Sequence, residues 1–169
     1  MSQNAGDPDT LAHPRPGKQE DASVSTQTSV PVFEDLSVGD QLPPLIVENL
    51  TRTHFVRYAG ASGDFNPMHH DDTIATQVGN PSVFGHGMLT AGFMARVLKD
   101  FFGAEALRRF QMRFSKQVWP GDTLTCTAKV TGKREEHGDA LIDVECAVTN
   151  QNGDSCLTGA ATAVVPKRG

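Results

Sequence analysis

The feature that most constrains the fold is a helical segment, residues 88–102, that lacks a polar face. Its apolar residues are Met88, Leu89, Ala91, Phe93, Met94, Ala95, Val97, Leu98, Phe101 and Phe102, and no charged side chain precedes Arg96. A helix that is apolar on all sides must be covered by protein or by lipid. The longest uninterrupted apolar runs span only a few residues, so we expect no membrane span and predict that a sheet of the same chain covers this helix.

The C-terminal third supplies the strands of such a sheet. Apolar residues alternate with polar ones at Phe110, Met112 and Phe114, at Leu124, Cys126, Ala128 and Val130, and at Ile142, Val144, Cys146 and Val148, and a small-residue strand follows at Leu157, Gly159, Ala161, Ala163 and Val165. Turn residues separate these segments at 119–122, 137–139 and 152–153. Successive hairpins predict an antiparallel sheet. The predicted fold class is therefore α+β, with one long central helix wrapped by a curled sheet.

Composition narrows the classes of function. The net charge of −5 is modest and the 15 Lys and Arg residues are scattered, which excludes a basic nucleic-acid-binding surface. With no secretory signal pattern at its N-terminus, the chain is expected to be cytoplasmic. The 3 cysteines lack a C-x-x-C spacing and are interpreted as small core or strand residues. Residues 1–30 are rich in polar residues, Gly and Pro and predict a disordered tail, followed by one domain over residues 31–169.

A short loop carries the candidate acid–base residues. Thr51 is a good N-cap for a helix that Gly60 and Gly63 end, and Pro67 prevents regular helix before His69. Asp64 and His69 therefore share one loop, and helix resumes near residue 71 or 72. A carboxylate and an imidazole are the side chains that most often move protons near neutral pH. Each alone is more often structural, so the interpretation depends on the wider motif.

Two further features bear on the chemistry. Gly87 opens the apolar helix, where its backbone N–H is free to stabilise negative charge. The run His69-His70-Asp71-Asp72 could suggest a metal site, but adjacent side chains diverge, and Asp71 or Asp72 is better explained as a helix cap. The sequence therefore predicts acid–base chemistry with no metal and no cofactor.

The motif resembles that of the MaoC-like (R)-specific enoyl-CoA hydratases and 3-hydroxyacyl thioester dehydratases, which have the hot-dog fold. The resemblance covers roughly residues 33–166. It is carried by Tyr58, Ser62, Gly63, Asp64, Asn66, Pro67, His69 and Ala75, and by the later run His86-Gly87-Met88-Leu89. It implies that Asp64 and His69 bind one water and deliver it to C3 of a trans-2-enoyl thioester. The Gly87 N–H would then stabilise the thioester oxyanion, and the product would be an (R)-3-hydroxyacyl thioester.

The same resemblance suggests supporting roles and partners. Ser62 and Asn66 are expected to hold the loop through hydrogen bonds. Tyr58 is expected to pack beside the site, with a contact to substrate as the alternative. His86 is interpreted as a buried, hydrogen-bonded residue, with orientation of the helix start as the alternative. The thioester handle would be coenzyme A or acyl carrier protein. An open sheet edge favours assembly as a homodimer or a heteromer of hot-dog subunits.

Two other functions stay open at this point. A hot-dog acyl-CoA thioesterase would need an acidic residue on or near the central helix, and this chain has none there before Asp100. A non-catalytic acyl-binding subunit of a heteromeric dehydratase would be free to lose Asp64 and His69, and both are present.

Overall fold

The computed structural model describes residues 30–169, so the tail predicted over residues 1–30 lies, apart from Val30, outside the described residues. Three α-helices precede most of the sheet: α1 (Arg52–Ser62), α2 (Asp72–Gln77) and α3 (Gly87–Phe102). The strands are β1 (Leu45–Val47), β2 (Leu107–Phe114), β3 (Leu124–Glu136), β4 (Asp139–Thr149) and β5 (Ser155–Val165). Short 3₁₀ turns occupy Phe33–Asp35 and Pro67–His69. The predicted α+β class with one long helix against an antiparallel sheet is confirmed.

The sheet has 5 strands in the order β1-β3-β4-β5-β2, and each neighbouring pair is antiparallel. The prediction of successive hairpins is wrong at one place, because β2 and β3 are not neighbours. β2 pairs instead with β5, whose small residues let the two backbones approach closely: a Cβ added to Gly159 would lie 2.4 Å from the Gln111 carbonyl oxygen. The turn at residues 119–122 therefore belongs to a crossing connection between distant strands.

Helix α3 packs one face against the sheet. Its buried residues are Thr90, Ala91, Met94, Val97, Leu98 and Phe102, and these join the apolar side chains of β3, β4 and β5 in one core. Residues 30–169 cover the opposite side only in part: Phe93 and Phe101 are half-buried, and Met88 is 54% exposed. The predicted arrangement of one long central helix against a curled sheet is confirmed, with the sheet packed on one side of the helix. Among the described residues no helix has the length and apolarity needed to cross a bilayer.

Local signals set the ends of the helices as predicted, with one difference. Thr51 is the N-cap of α1 and forms a reciprocal capping box with His54. Gly63 ends the helix in the left-handed conformation, with φ at +74°, which glycine adopts without strain. Gly60, however, lies inside α1 rather than at its end. Asp71 caps α2 by accepting hydrogen bonds from the backbone N–H groups of residues 73 and 74.

The three cysteines lie on the strands, as predicted. Cys126, Cys146 and Cys156 are buried and free. Burial raises the pKa of the Cys126 and Cys146 thiols to about 12. They fill the core as small apolar residues.

Candidate active site

The loop that follows α1 presents Asp64. The Ser62 hydroxyl donates a hydrogen bond to the Tyr58 carbonyl oxygen, at 2.7 Å, and accepts one from the Asp64 N–H, at 3.2 Å. The Asp64 carboxylate in turn accepts the Asn66 N–H at 3.2 Å. These local bonds compete with helix continuation and fix the turn. Asp64 therefore stands at an exposed bend with a defined backbone.

A single turn of 3₁₀ helix then carries His69 inward. The Asn66 side chain caps this turn by accepting the Met68 N–H at 3.1 Å, and Pro67 occupies its first position. His69 is buried, and its Nδ1 lies 2.7 Å from the Phe84 carbonyl oxygen. Since a carbonyl only accepts, Nδ1 carries the proton and the neutral ring has a bare Nε2. The bare nitrogen can accept a hydrogen bond or a proton.

The surroundings of His69 favour its neutral form. Burial is the largest cause and lowers the pKa of the imidazole below its usual 6.5. The Phe84 carbonyl and the charge of Asp64 act in the opposite direction, while the neighbouring imidazoles of His86 and His70 lower the pKa further. The net direction is downward, so the ring is neutral at physiological pH.

His86 lies directly against His69. The two ring centroids are 3.8 Å apart with an angle of 31° between planes, and the Tyr58 ring lies 5.0 Å from His86. The His86 Nε2 donates a hydrogen bond to the Asp64 carbonyl oxygen at 3.0 Å. The side chain is 1% exposed. His86 thus contacts both members of the predicted acid–base pair.

The polar atoms of these residues converge. An Asp64 carboxylate oxygen, one ring nitrogen of His69 and one of His86 all lie within 4.8 Å of one another. Two hydrogen bonds of about 2.8 Å through one water reach across such a gap. Carboxylate and imidazole are also metal ligands, so these three groups have the composition of a metal site as well. The His86 Nε2 is already engaged as a donor to the Asp64 carbonyl, which leaves only the buried Nδ1 of that ring as a ligand atom. The arrangement therefore favours a bound water.

Helix α3 begins beside this cluster. Gly87 is its first residue, directly after His86, and in residues 30–169 its N–H donates to no backbone or side-chain acceptor. The first N–H groups of a helix carry partial positive charge, which favours an anion there. The Phe114 ring lies against Gly87, 3.3 Å from where a Cβ would stand.

A cleft of about 840 Å³ adjoins the cluster. Phe84, Gly87, Phe114 and Trp119 line its apolar part. At the other part Lys116 forms an ion pair of 2.6 Å with Asp154. Asp64 and His69 do not line this cleft. Two lining residues connect the cleft to this pair. The Phe84 carbonyl accepts the hydrogen bond of His69, and Gly87 directly follows His86.

The structure therefore brings together all seven residues named from the sequence: Asp64, His69, Gly87, Ser62, Asn66, Tyr58 and His86. It adds Phe84, which the sequence did not indicate. Phe84 contributes its backbone carbonyl. Every residue type has this group, so the sequence does not reveal the role. The only available signal was its position two residues before His86.

The chain is similar in sequence and in fold to known proteins. A family model described as "MaoC like domain" matches residues 18–152. The (R)-specific enoyl-CoA hydratase of Rhodospirillum rubrum is 32% identical over 139 residues, which cover 81% of this chain and 93% of that protein.

Two solved structures share the fold. The (R)-hydratase from A. caviae involved in PHA biosynthesis superposes with a TM-score of 0.71 at 25% identity, covering 79% of this chain and 99% of the other. A chain of the ChsH1-ChsH2 complex from Mycobacterium tuberculosis gives a TM-score of 0.68 at 25% identity, covering 76% and 98% respectively. Both agree with the sheet and the central helix described above.

Proposed function

Because this chain belongs to the MaoC-like domain family and is an enzyme of the hydratase and dehydratase type, we propose that it reversibly hydrates trans-2-enoyl thioesters to (R)-3-hydroxyacyl thioesters. The observation that carries the proposal is the approach of the Asp64 carboxylate and the His69 ring to within 4.8 Å. One water fits between them. Such a water is held by two groups that can each take a proton from it.

The reaction balances without a cofactor. The water oxygen bonds to C3 of the enoyl thioester, and one of its protons passes to the Asp64–His69 pair. The electrons of the double bond move toward C2 and the thioester carbonyl, which becomes an enolate. The pair then returns a proton to C2, so its protonation state is restored. Dehydration follows the same steps in reverse.

Gly87 stabilises the charge that develops on the thioester oxygen. Its N–H is unpaired in the described residues and stands at the positive end of α3. In other enzymes the loss of one such donor costs about 3–4 kcal/mol of barrier, or about 100- to 1,000-fold in turnover. The adjoining cleft offers space for part of the thioester.

The two alternatives have weaker support. On α3 the first acidic residue is Asp100, which pairs with Arg96 and Lys99 near the far end of the helix. The start of α3, beside the cluster, therefore lacks the acidic residue that a hot-dog thioesterase would need. A non-catalytic subunit would have no use for the hydrogen-bonded loop that holds Asp64 and His69 in place.

Substitution of the pair tests the proposal. Asp64→Asn and His69→Ala should each remove most hydration of crotonyl-CoA, followed as the loss of absorbance of the conjugated double bond. His137→Ala is the control, because that histidine is exposed at the β3–β4 turn. Near-normal turnover by either site variant would defeat the assignment. Release of free thiol by the wild type would indicate a thioesterase instead.

Gly87 offers a sharper test of the oxyanion donor. Proline is favoured at the first position of a helix, and His86 already has the extended backbone, with ψ at 134°, that must precede it. Gly87→Pro should therefore fold while lacking the N–H, and kcat should fall by about 100-fold or more. Gly87→Ala adds a similar steric load beside Phe114 but keeps the donor. Equal kcat in the two variants would exclude this role.

The assembly and the substrate handle are part of the same proposal. β2, which has 8 residues, forms one edge of the sheet, and no strand within residues 30–169 pairs with its outer side. We propose that residues 31–169 form one cytoplasmic domain that pairs with a second hot-dog subunit, its own copy or a related chain, and takes a coenzyme A or acyl-carrier thioester. A monomer in size-exclusion chromatography with light scattering would exclude the homodimer.

A further inference from the structure

We infer that His86 is a positioning residue that fixes the Asp64 loop against His69 and against the start of α3. The inference rests on the proposed function and deepens it. His86 acts through its contacts with Asp64, with His69 and with the start of α3.

The contacts of His86 converge from three parts of the chain. Its Nε2 donates to the backbone carbonyl oxygen of Asp64, at 3.0 Å. Its ring lies against the His69 ring, and its own backbone is the N-cap of α3, directly before Gly87. One rigid side chain therefore relates the carboxylate, the imidazole and the amide donor of the site.

The burial of His86 indicates that this contact is more than packing. The residue is 1% exposed, and its Nδ1 is buried without a hydrogen-bond partner in the described residues. An unsatisfied buried polar atom typically costs about 1–3 kcal/mol. An apolar side chain of similar size would avoid that cost and still fill the space. The bond from Nε2 to Asp64 is what an apolar side chain would lack.

The bond from His86 fixes the position of Asp64 directly. The carbonyl that accepts it belongs to Asp64 itself, so the bond fixes the backbone from which the carboxylate extends. Asp64 is otherwise exposed, and the other hydrogen bonds of residues 62–66 join residues no more than five positions apart in sequence. The far end of the loop is held by Phe84, through Met68 and His69. His86 supplies the long-range anchor of the Asp64 end, 22 residues further along the chain.

Three substitutions separate positioning from packing. Gln places its side-chain nitrogen four bonds from Cα, as His does for Nε2, and so keeps the bond to Asp64. Asn places its nitrogen one bond shorter, and Leu has none. We expect His86→Gln to keep most of its turnover, whereas His86→Leu and His86→Asn lose about 100-fold in kcat, as expected for a misplacement of about 1 Å, with little change in KM. His137→Gln, at an exposed turn, is the control.

A second measurement is independent of turnover. The groups that face His69 are the Asp64 carboxylate and the His70 and His86 imidazoles. Because the neighbouring His86 imidazole lowers the pKa of His69, replacing it should raise the His69 titration midpoint, followed by NMR of the ring, in both His86→Gln and His86→Leu. If the kcat loss instead follows this midpoint equally in both variants, the effect is electrostatic and the positioning role is wrong.

The outcomes also separate this inference from the proposed function. Wild-type turnover in His86→Leu, with an unchanged melting temperature, would overturn the positioning role and leave the hydratase proposal intact. If His86→Leu does not fold, the Gln and Asn pair decides, because equal kcat in the two would overturn the role. Failure of the proposed function is detected separately, as absence of enoyl thioester hydration by the wild type.

Discussion

Substitution of Gly85 by alanine tests the packing that supports the site. Gly85 is buried between Phe84, whose carbonyl holds His69, and His86, and its N–H donates to the Val118 carbonyl at 2.8 Å. A Cβ at this position would lie 2.6 Å from Val118 Cγ2 and 2.9 Å from Phe55 Cε1. Carbon atoms pack best at about 3.5–4.0 Å, so both contacts are too short by roughly 1 Å.

The expected loss of stability follows from this overpacking. Excess volume in a packed core typically costs about 1–3 kcal/mol. We place Gly85→Ala in the upper half of that range, because Phe55 is fully buried and Val118 nearly so, and neither can move into solvent. Activity should also fall by about tenfold or more, because a shift of residue 85 moves both the His69 acceptor and His86.

Urea unfolding followed by circular dichroism measures the change in stability, and Gly92→Ala is the matched control. Gly92 is exposed inside α3 and a Cβ there meets nothing within 4 Å. The same substitution should therefore stabilise the protein there by about 0.5–1 kcal/mol. Adding Val118→Ala to Gly85→Ala should recover part of the loss. A Gly85→Ala protein as stable as the wild type would refute the packing argument.

Two other predictions concern titration and thiol reactivity. Burial lowers the pKa of His69 in the folded protein below the 6.5 expected in the unfolded chain. Between these two pKa values the unfolded chain binds more protons than the folded one. The stability that this residue contributes is therefore lost as the pH falls below 6.5. Wild type should lose more stability than His69→Gln between pH 7 and about 5, and an equal loss would contradict the burial. Burial raises the pKa values of Cys126, Cys146 and Cys156, so a thiol reagent should label none of the three in the native protein and all of them in urea. Rapid native labelling would contradict their placement in the core.

The sequence predicts local structure well wherever a residue type has a strong conformational preference. The Thr51 cap, the Gly63 helix end and the interruption at Pro67 placed Asp64 and His69 on a loop before any contact was known. The all-apolar segment predicted α3. These signals depend on the backbone preferences of single residues or on periodicity, both of which can be read within a window of a few residues.

The pairing of β2 could not be predicted in the same way. The alternation of apolar and polar residues indicates that residues 107–114 form a strand with an apolar face. It does not indicate which strand pairs with it. The observed pairing with β5 joins residues far apart in sequence and brings Gly159 against the Gln111 backbone, 48 positions earlier. A turn signal at residues 119–122 resembles a hairpin although it lies in a crossing connection.

Residues 84–87 show which parts of the site a sequence motif reveals and which it does not. The run that opens His86-Gly87 is visible in the sequence, but the functional unit begins earlier, at Phe84. Within residues 84–87, the Phe84 carbonyl accepts from His69 and Gly85 allows close packing against Phe55. The His86 ring donates to Asp64, and the Gly87 N–H has no acceptor in residues 30–169. Two of these contributions come from the backbone and one from the absence of a side chain. A shift of this one segment would disturb both proposed proton-transfer groups and the proposed amide donor together. We therefore expect substitutions at 84–87 to impair activity more than their cost in stability predicts.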